Sequence, residues 1–165
     1  MNRDHDFIEF ATARSAALYR SALVLCGDRH LAEDLVQECL AKLFLVWGRR
    51  GIDNPASYAH ATLVRTFLSA RRRRSWSERP AAQLPEVMAA ETDVGLRLDL
   101  VAALRELTPT DRAVLVLRFL EDRTVQQTAE AIGISAVAVR SRTMRALARI
   151  RPLLDDEAEP LGDRA

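Results

Sequence analysis

Residues 124–151, TVQQTAEAIGISAVAVRSRTMRALARIR, restrict the fold more than any other stretch of the chain. They read as two helices joined by a tight turn. Thr124 suits an N-cap, and Val125, Ala129 and Ile132 recur at i, i+4 and i+7 to make one apolar face. Gly133 stops this helix, because glycine accepts the left-handed conformation that a residue just past a helix end adopts. Ile134 fills the angle, and Ser135 can cap the second helix. Val139, Thr143, Ala146, Leu147 and Ile150 form the inner stripe of that helix. Arg140, Arg142, Arg145, Arg149 and Arg151 lie on the outer face, with no acidic residue between Ser135 and Arg151. A short helix, a glycine turn and a basic helix form a helix-turn-helix, whose second helix fits the DNA major groove. The plainer reading is a pair of packed surface helices with solvated arginines. Five arginines without a carboxylate on their own helix favour the first.

The net charge of +1 over 165 residues says little about partners, but its distribution says more. Arginine clusters at 71–74 and along 140–151, whereas residues 155–165 hold five acids against one arginine. Lys42 is the only lysine. Arginine in place of lysine suits bidentate contacts to phosphate and guanine, and a GC-rich coding genome would produce the same bias. The N-terminus, MNRDHDFIEF, has no apolar signal core, and no apolar run is long enough to span a membrane. A cytoplasmic protein is expected. Cys26 and Cys39 form no metal or redox motif, and no metal or other cofactor is expected.

Upstream, the spacing predicts a helix over 4–26 with Phe7, Phe10, Leu18, Ala22 and Leu25 inward, ended by Gly27. A second runs from about Arg29 to Trp47. Leu31, Leu35, Cys39, Leu43 and Val46 make its stripe, widened by Leu40, Phe44 and Trp47. So broad an apolar arc implies burial against at least two neighbours. Asn54-Pro55 starts a third helix, asparagine as cap and proline in the first turn, with Tyr58, Leu63, Val64, Phe67 and Leu68 inward. It ends in Arg71-Arg72-Arg73-Arg74 and Trp76. Four successive arginines point all round a helix. They are either a solvated basic end or a contact to a nucleic-acid backbone, with Trp76 offering a face for an unpaired base.

From Ser77 to Thr92 helical periodicity is lost, and Pro80 and Pro85 block a continuous helix. The expectation is an all-α chain of two small helical domains, 1–76 and 93–154, joined by a flexible linker, 77–92. Each is near the lower size limit for an independent core. The acidic tail, 155–165, is expected to be disordered. In the second domain Val94, Leu98, Val101 and Leu104 mark a helix. Thr108-Pro109-Thr110-Asp111 is a strong start signal for the next, with Val114, Leu115, Leu117 and Leu120 packed and Arg118 on the exposed side. The helix-turn-helix completes a four-helix domain, with Pro152 ending its last helix.

Two basic helical modules in this order resemble the extracytoplasmic-function (group IV) RNA polymerase sigma factors. The motifs are AEDLVQECLAKLFLVW (32–47), NPASYAHATLVRTFLSARRRRSW (54–76), LRELTPTDRAVLVLRFLED (104–122) and ISAVAVRSRTMRALARIR (134–151). The run LVRTFLSARRRRSWSERP also resembles the SigE-type group common in actinobacteria. The resemblance implies docking on the β′ clamp helices of core RNA polymerase through Asp34, Gln37, Glu38 and Lys42. It implies −10 binding and melting by Asn54, Ser57, Arg65, Ser69, Arg71, Arg72, Arg73, Arg74 and Trp76. Readout of the −35 duplex falls to Arg140, Ser141, Met144 and Arg145, with Arg118 reaching from the preceding helix and Ser135 and Arg142 beside them. Main-chain N–H groups of Thr124 to Gln126 would hold a phosphate. The β flap and an anti-sigma factor are further partners that the resemblance admits. Arg65 stands where relatives usually have Asn, Ala70 where many have an aromatic, and Thr143 where an apolar residue is usual. A buried hydroxyl at 143 needs an acceptor, for which the Val139 carbonyl is placed.

Two other readings compete. An ordinary helix-turn-helix regulator explains 124–151 but leaves 29–47 and 71–76 without a role, and it would bind duplex without polymerase. A metal-dependent enzyme or sensor would rest on Cys26, His30 and Cys39, which lack a fourth ligand for a structural zinc site. No nucleophile–base pair or glycine-rich phosphate loop points to catalysis.

Overall fold

The computed structural model describes residues 2–49, 51–77 and 98–155, with side chains at 2–49, 51–73 and 99–154. The expected linker beyond Ser77 and the acidic tail beyond Asp155 lie outside these residues, as does Val94. Among the described residues, seven α-helices follow in order: α1 (Arg3–Cys26), α2 (Arg29–Val46), α3 (Pro55–Ser77), α4 (Leu98–Arg105), α5 (Pro109–Leu115), α6 (Val125–Ile132) and α7 (Ala136–Asp155). A five-residue π-helical turn, Val116–Leu120, extends α5.

Local chemistry sets these boundaries. Asn2 accepts from the Asp4 N–H at 3.2 Å to open α1, and Asp4 and Asp6 oppose the positive end of the helix dipole. Gly27 closes α1 at φ 67°. Asp28 at once caps α2 through the Leu31 N–H, 2.9 Å away. Asn54 accepts from the Ser57 N–H at 3.0 Å ahead of Pro55. Thr108 accepts from the Asp111 N–H at 3.2 Å, as the Thr-Pro-Thr-Asp signature predicts. At one end of the first module Phe7 packs edge-on against Phe44 and Trp47, at 5.0 and 5.3 Å between centroids.

Two sequence expectations are corrected here. The spacing puts Tyr58 and Phe44 inward, yet both are exposed. On α3, Leu63, Val64 and Phe67 are buried as expected, and Ala59, His60 and Thr66 join them on the inner face. Pro152 does not end α7: the helix runs through it to Asp155.

Ser21, Ala22, Leu23, Val24 and Leu25 are all buried. Five consecutive residues cover the whole circumference of a helix, so this end of α1 must be surrounded. Helices α2 and α3 pack on one side, and α5 with the π turn of the second module on the other. Leu18, Leu25, Leu63, Val64 and Phe67 thus belong to one contiguous core with Ala103, Leu104, Leu107 and Leu117. Separate cores are the expectation from sequence; the two modules share one. Burying apolar surface of both halves together eases the size limit that each faces alone.

Polar bonds cross the same join. Arg112 is 5% exposed. Its Nε donates to the Leu104 carbonyl at 2.9 Å, one terminal nitrogen to the Leu107 carbonyl at 3.1 Å, and the other to the Leu25 carbonyl of α1. Arg105 donates to the Gly27 carbonyl at 3.2 Å. A Cβ at Gly27 would lie 2.4 Å from the Arg105 Nε, so both the positive φ and this approach favour glycine there.

Candidate nucleic-acid interface

The helix-turn-helix forms as its caps dictate. The Thr124 hydroxyl accepts from the Gln127 N–H, and the Gln127 side chain accepts from the Thr124 N–H, both at 3.0 Å: a complete capping box. Gly133 turns the chain at φ 80°. Ser135 accepts from the Ala138 N–H at 3.1 Å to start α7. Val139, Ala146 and Ile150 are buried. The Thr143 hydroxyl donates to the Val139 carbonyl at 2.7 Å, the acceptor expected for it.

The opposite stripe of α7 faces outward. Arg140, Ser141, Met144 and Arg145 are exposed. Met144 is 74% and Val137 71% exposed, which is unusual for side chains of that size on a packed helix. Sequence reasoning passes over Val137. Its position three residues before Arg140, at the helix start, is the available signal.

Three residues assigned to the −35 set hold structure together. Arg142 donates to Asp111 of α5 at 2.7 Å, with the pair two-thirds or more shielded. The carboxylate missing from the stretch Ser135 to Arg151 comes from another helix, so Arg142 is not one of a row of unpaired arginines. Arg118 is expected on the exposed side. It is instead half-buried, donates to the Arg123 carbonyl and lies over the Phe119 ring at 5.8 Å. The Thr124 N–H is taken by Gln127, so a phosphate at the start of α6 would meet the N–H groups of Val125 and Gln126 instead.

On α3, Asn54 is engaged as cap, and Ser69 is half-buried. Ser57 and Arg65 contact the second module. Arg123 donates to the Ser57 hydroxyl and, at 3.1 Å, to its carbonyl. Arg65 Nε donates to the Ala131 carbonyl at 2.7 Å. Arg71, Arg72 and Arg73 are exposed; the side chains of Arg74 and Trp76 lie outside the described residues. On α2, Asp34 and Gln37 are exposed. Glu38 pairs with Lys42 at 3.1 Å and lies 3.8 Å from Arg73, and Lys42 also donates to Thr66 at 3.1 Å. Beside them is a hollow of about 100 Å³ lined by Asp34, Glu38, Ala70 and Arg71. The small side chain of Ala70 helps to leave it open.

Glu121, just before α6, is wedged between the modules. Its Oε1 accepts from the Ser21 hydroxyl and lies 2.8 Å from His60 Nδ1. Burial pushes this carboxyl up. The hydrogen bonds from His60 and Ser21, with the charges of His60 and Arg123, outweigh burial and hold it below the ordinary carboxylate range. Cys39 is buried, and desolvation pushes its thiol up to about 12. Among the described residues no group of three or more His, Cys, Asp or Glu side chains is placed to hold a metal ion. No helix among them is long and apolar enough to cross a membrane.

Residues 11–77 match the family sigma-70 region 2, and residues 103–152 match sigma-70, region 4. The chain is 37% identical to the RNA polymerase sigma-E factor of Streptomyces coelicolor over 88% of its own length and 84% of that protein. It is 34% identical to the Streptomyces avermitilis RNA polymerase sigma-E factor, over 91% and 86%. It is similar in fold to the sigma factor RpoE of Bartonella quintana, solved with the anti-sigma factor NepR, with TM-score 0.75 and 24% identity over 91% of this chain and 97% of that one. CnrH, solved with the cytosolic domain of CnrY, gives TM-score 0.64 and 23% identity over 94% and 91%. The fold and the two matched regions are those of a transcription-initiation factor. The chain belongs to the extracytoplasmic-function group of RNA polymerase sigma factors.

Proposed function

We propose that this sigma factor docks on the β′ clamp helices of core polymerase through Asp34, Gln37, Glu38 and Lys42. In that complex α3 and its arginine run hold the −10 strand, and α7 reads the −35 duplex. The observation that carries the reading is the outward stripe of α7. Arg140, Ser141, Met144 and Arg145 are exposed together on the helix that follows a tight glycine turn. Arginines there can bond guanine edges, and the exposed Val137 and Met144 offer apolar contact to thymine methyls. The start of α6 meets a flanking phosphate through Val125 and Gln126. Phe119 and Leu153, both exposed, suit the β flap. Arg142 and Arg118 support this surface rather than read bases.

The protein acts as a regulatory subunit, without a catalytic role of its own. An anti-sigma factor is a further partner, by analogy with the complexes in which the two similar structures were solved. In vitro transcription with purified core polymerase and a promoter library tests the reading. The chain should confer selective start sites. Tight, selective duplex binding without core enzyme, and no start-site selection with it, would favour an ordinary helix-turn-helix regulator.

A further inference from the structure

Val137 and Met144 leave most of their apolar surface in water, at 71% and 74% exposure. Helix α7 packs through its other stripe, where Val139, Ala146 and Ile150 are buried. Folding therefore gains little from either side chain. Both stand beside Arg140 and Arg145, in a stretch with no acidic residue from Ser135 to Arg151. An anionic duplex suits apolar side chains in that surround, because thymine carries a methyl group on its major-groove edge.

The two side chains differ in stiffness. The first turn of α7 is pinned on both sides of Val137. Ser135 accepts from the Ala138 N–H at 3.1 Å, and the Val139 N–H donates to the Ser135 carbonyl at 3.0 Å. Valine is β-branched and holds one strongly preferred χ1 rotamer in a helix. Met144 has three rotatable bonds and adapts its reach. Arg140 is exposed three residues after Val137, about 4.5 Å along the helix axis. A base step is about 3.4 Å, so the two side chains address the same or adjoining base pairs.

We propose that Val137 is a specificity-determining residue that selects thymine by its methyl group, within about two base pairs of the guanine taken by Arg140. The inference rests on the reading of α7 as the −35 helix and names the base that the start of that helix selects. Residues at the start of a recognition helix reach base edges. Cytosine at this place would present an amino group that valine cannot pair, and leaving it dry and unpaired is costly. Met144 follows a methyl group over neighbouring positions and discriminates less.

The test uses the full chain with core polymerase and a promoter chosen by in vitro transcription. Each −35 thymine is replaced in turn by deoxyuridine, which removes the methyl group and nothing else. One position, close to the guanine located with Arg140→Ala, should lose about three- to five-fold in affinity. Val137→Ala should lose as much on the thymine promoter and be indifferent to uracil at that position. Its response to replacement of the guanine should be unchanged, and its thermal midpoint should match that of the parent. Equal uracil penalties in parent and variant would overturn the proposal. So would a loss in Val137→Ala that is the same on thymine and uracil promoters, which would place Val137 against the DNA backbone or a protein. Selected promoters with no thymine on either strand within two base pairs of that guanine would overturn it as well. Indifference of Arg140→Ala to every −35 guanine would instead remove the −35 reading beneath it.

Discussion

The guanidinium of Arg112, on α5, donates to the carbonyl of Leu25, in the last turn of α1. The last turn of α1 has no basic residue of its own, and the final carbonyls of a helix need outside donors. The second module supplies them through Arg112 at Leu25 and Arg105 at Gly27. The end of the first helix is thus completed by residues more than seventy positions later. Arg112 also lies 5.9 Å from the centre of the Phe67 ring. Burial, with Arg71 and Arg105 nearby, pushes it down to about 10, so it remains a cation at neutral pH.

Replacing Arg112 by alanine should destabilise the chain strongly. Three carbonyls lose their donor, and removing one partner of a buried polar set costs about 3–5 kcal/mol. Urea unfolding at neutral pH measures this. A loss under about 1 kcal/mol would mean that water takes over the carbonyls at no cost.

Arg140 and Arg142, two positions apart on α7, should behave oppositely. Arg140→Ala should weaken promoters with a −35 guanine by about 1–3 kcal/mol relative to promoters without it, and leave the thermal midpoint nearly unchanged. Arg142→Ala breaks the pair with Asp111 and should lower the midpoint without changing base preference. Competition binding and calorimetry on both variants separate the roles; the same base preference lost in both would place Arg142 among the readers.

Acidification should loosen the join through Glu121. Its folded value lies below its unfolded one, so the fold favours the carboxylate. That stabilisation is fully present above about pH 4.3, the ordinary glutamate value, and is lost as pH falls through the lower folded value. Thermal midpoints of the parent and Glu121→Gln should therefore converge below about pH 4 and stand furthest apart near neutrality. Parallel profiles throughout would show that the carboxylate adds nothing to the join.

Neutralising Arg71 to Arg74 should flatten the salt dependence of promoter binding by roughly 0.7–0.9 for each phosphate that these side chains no longer touch. An unchanged slope would leave the four arginines in solvent.

What a short run of residues decides is legible in the sequence. Thr108, Thr124 and Ser135 cap the helices they are expected to cap. Gly27 and Gly133 end theirs in the left-handed conformation. The all-α class follows from periodicity, and so does the outward face of α7 apart from Arg142, which Asp111 claims. Capping and amphipathicity are satisfied within one or two helical turns, so they are written where they act. Pro152 goes the other way. A proline removes one helix hydrogen bond, which biases a helix to end there without compelling it.

Partnership between distant residues is not legible. Nothing local to Arg112 shows that it ends as buried as a leucine, or that Asp111 claims Arg142. No spacing points Arg65 at the end of α6, or Glu121 at Ser21 a hundred positions away. The sequence by itself determined the helices, their caps and the basic outward surface that α7 presents. Only the tertiary structure decided which arginines remain outside and which join the modules. Desolvation and pairing depend on what the folded chain brings within a few ångströms, and a one-dimensional pattern does not encode those distances.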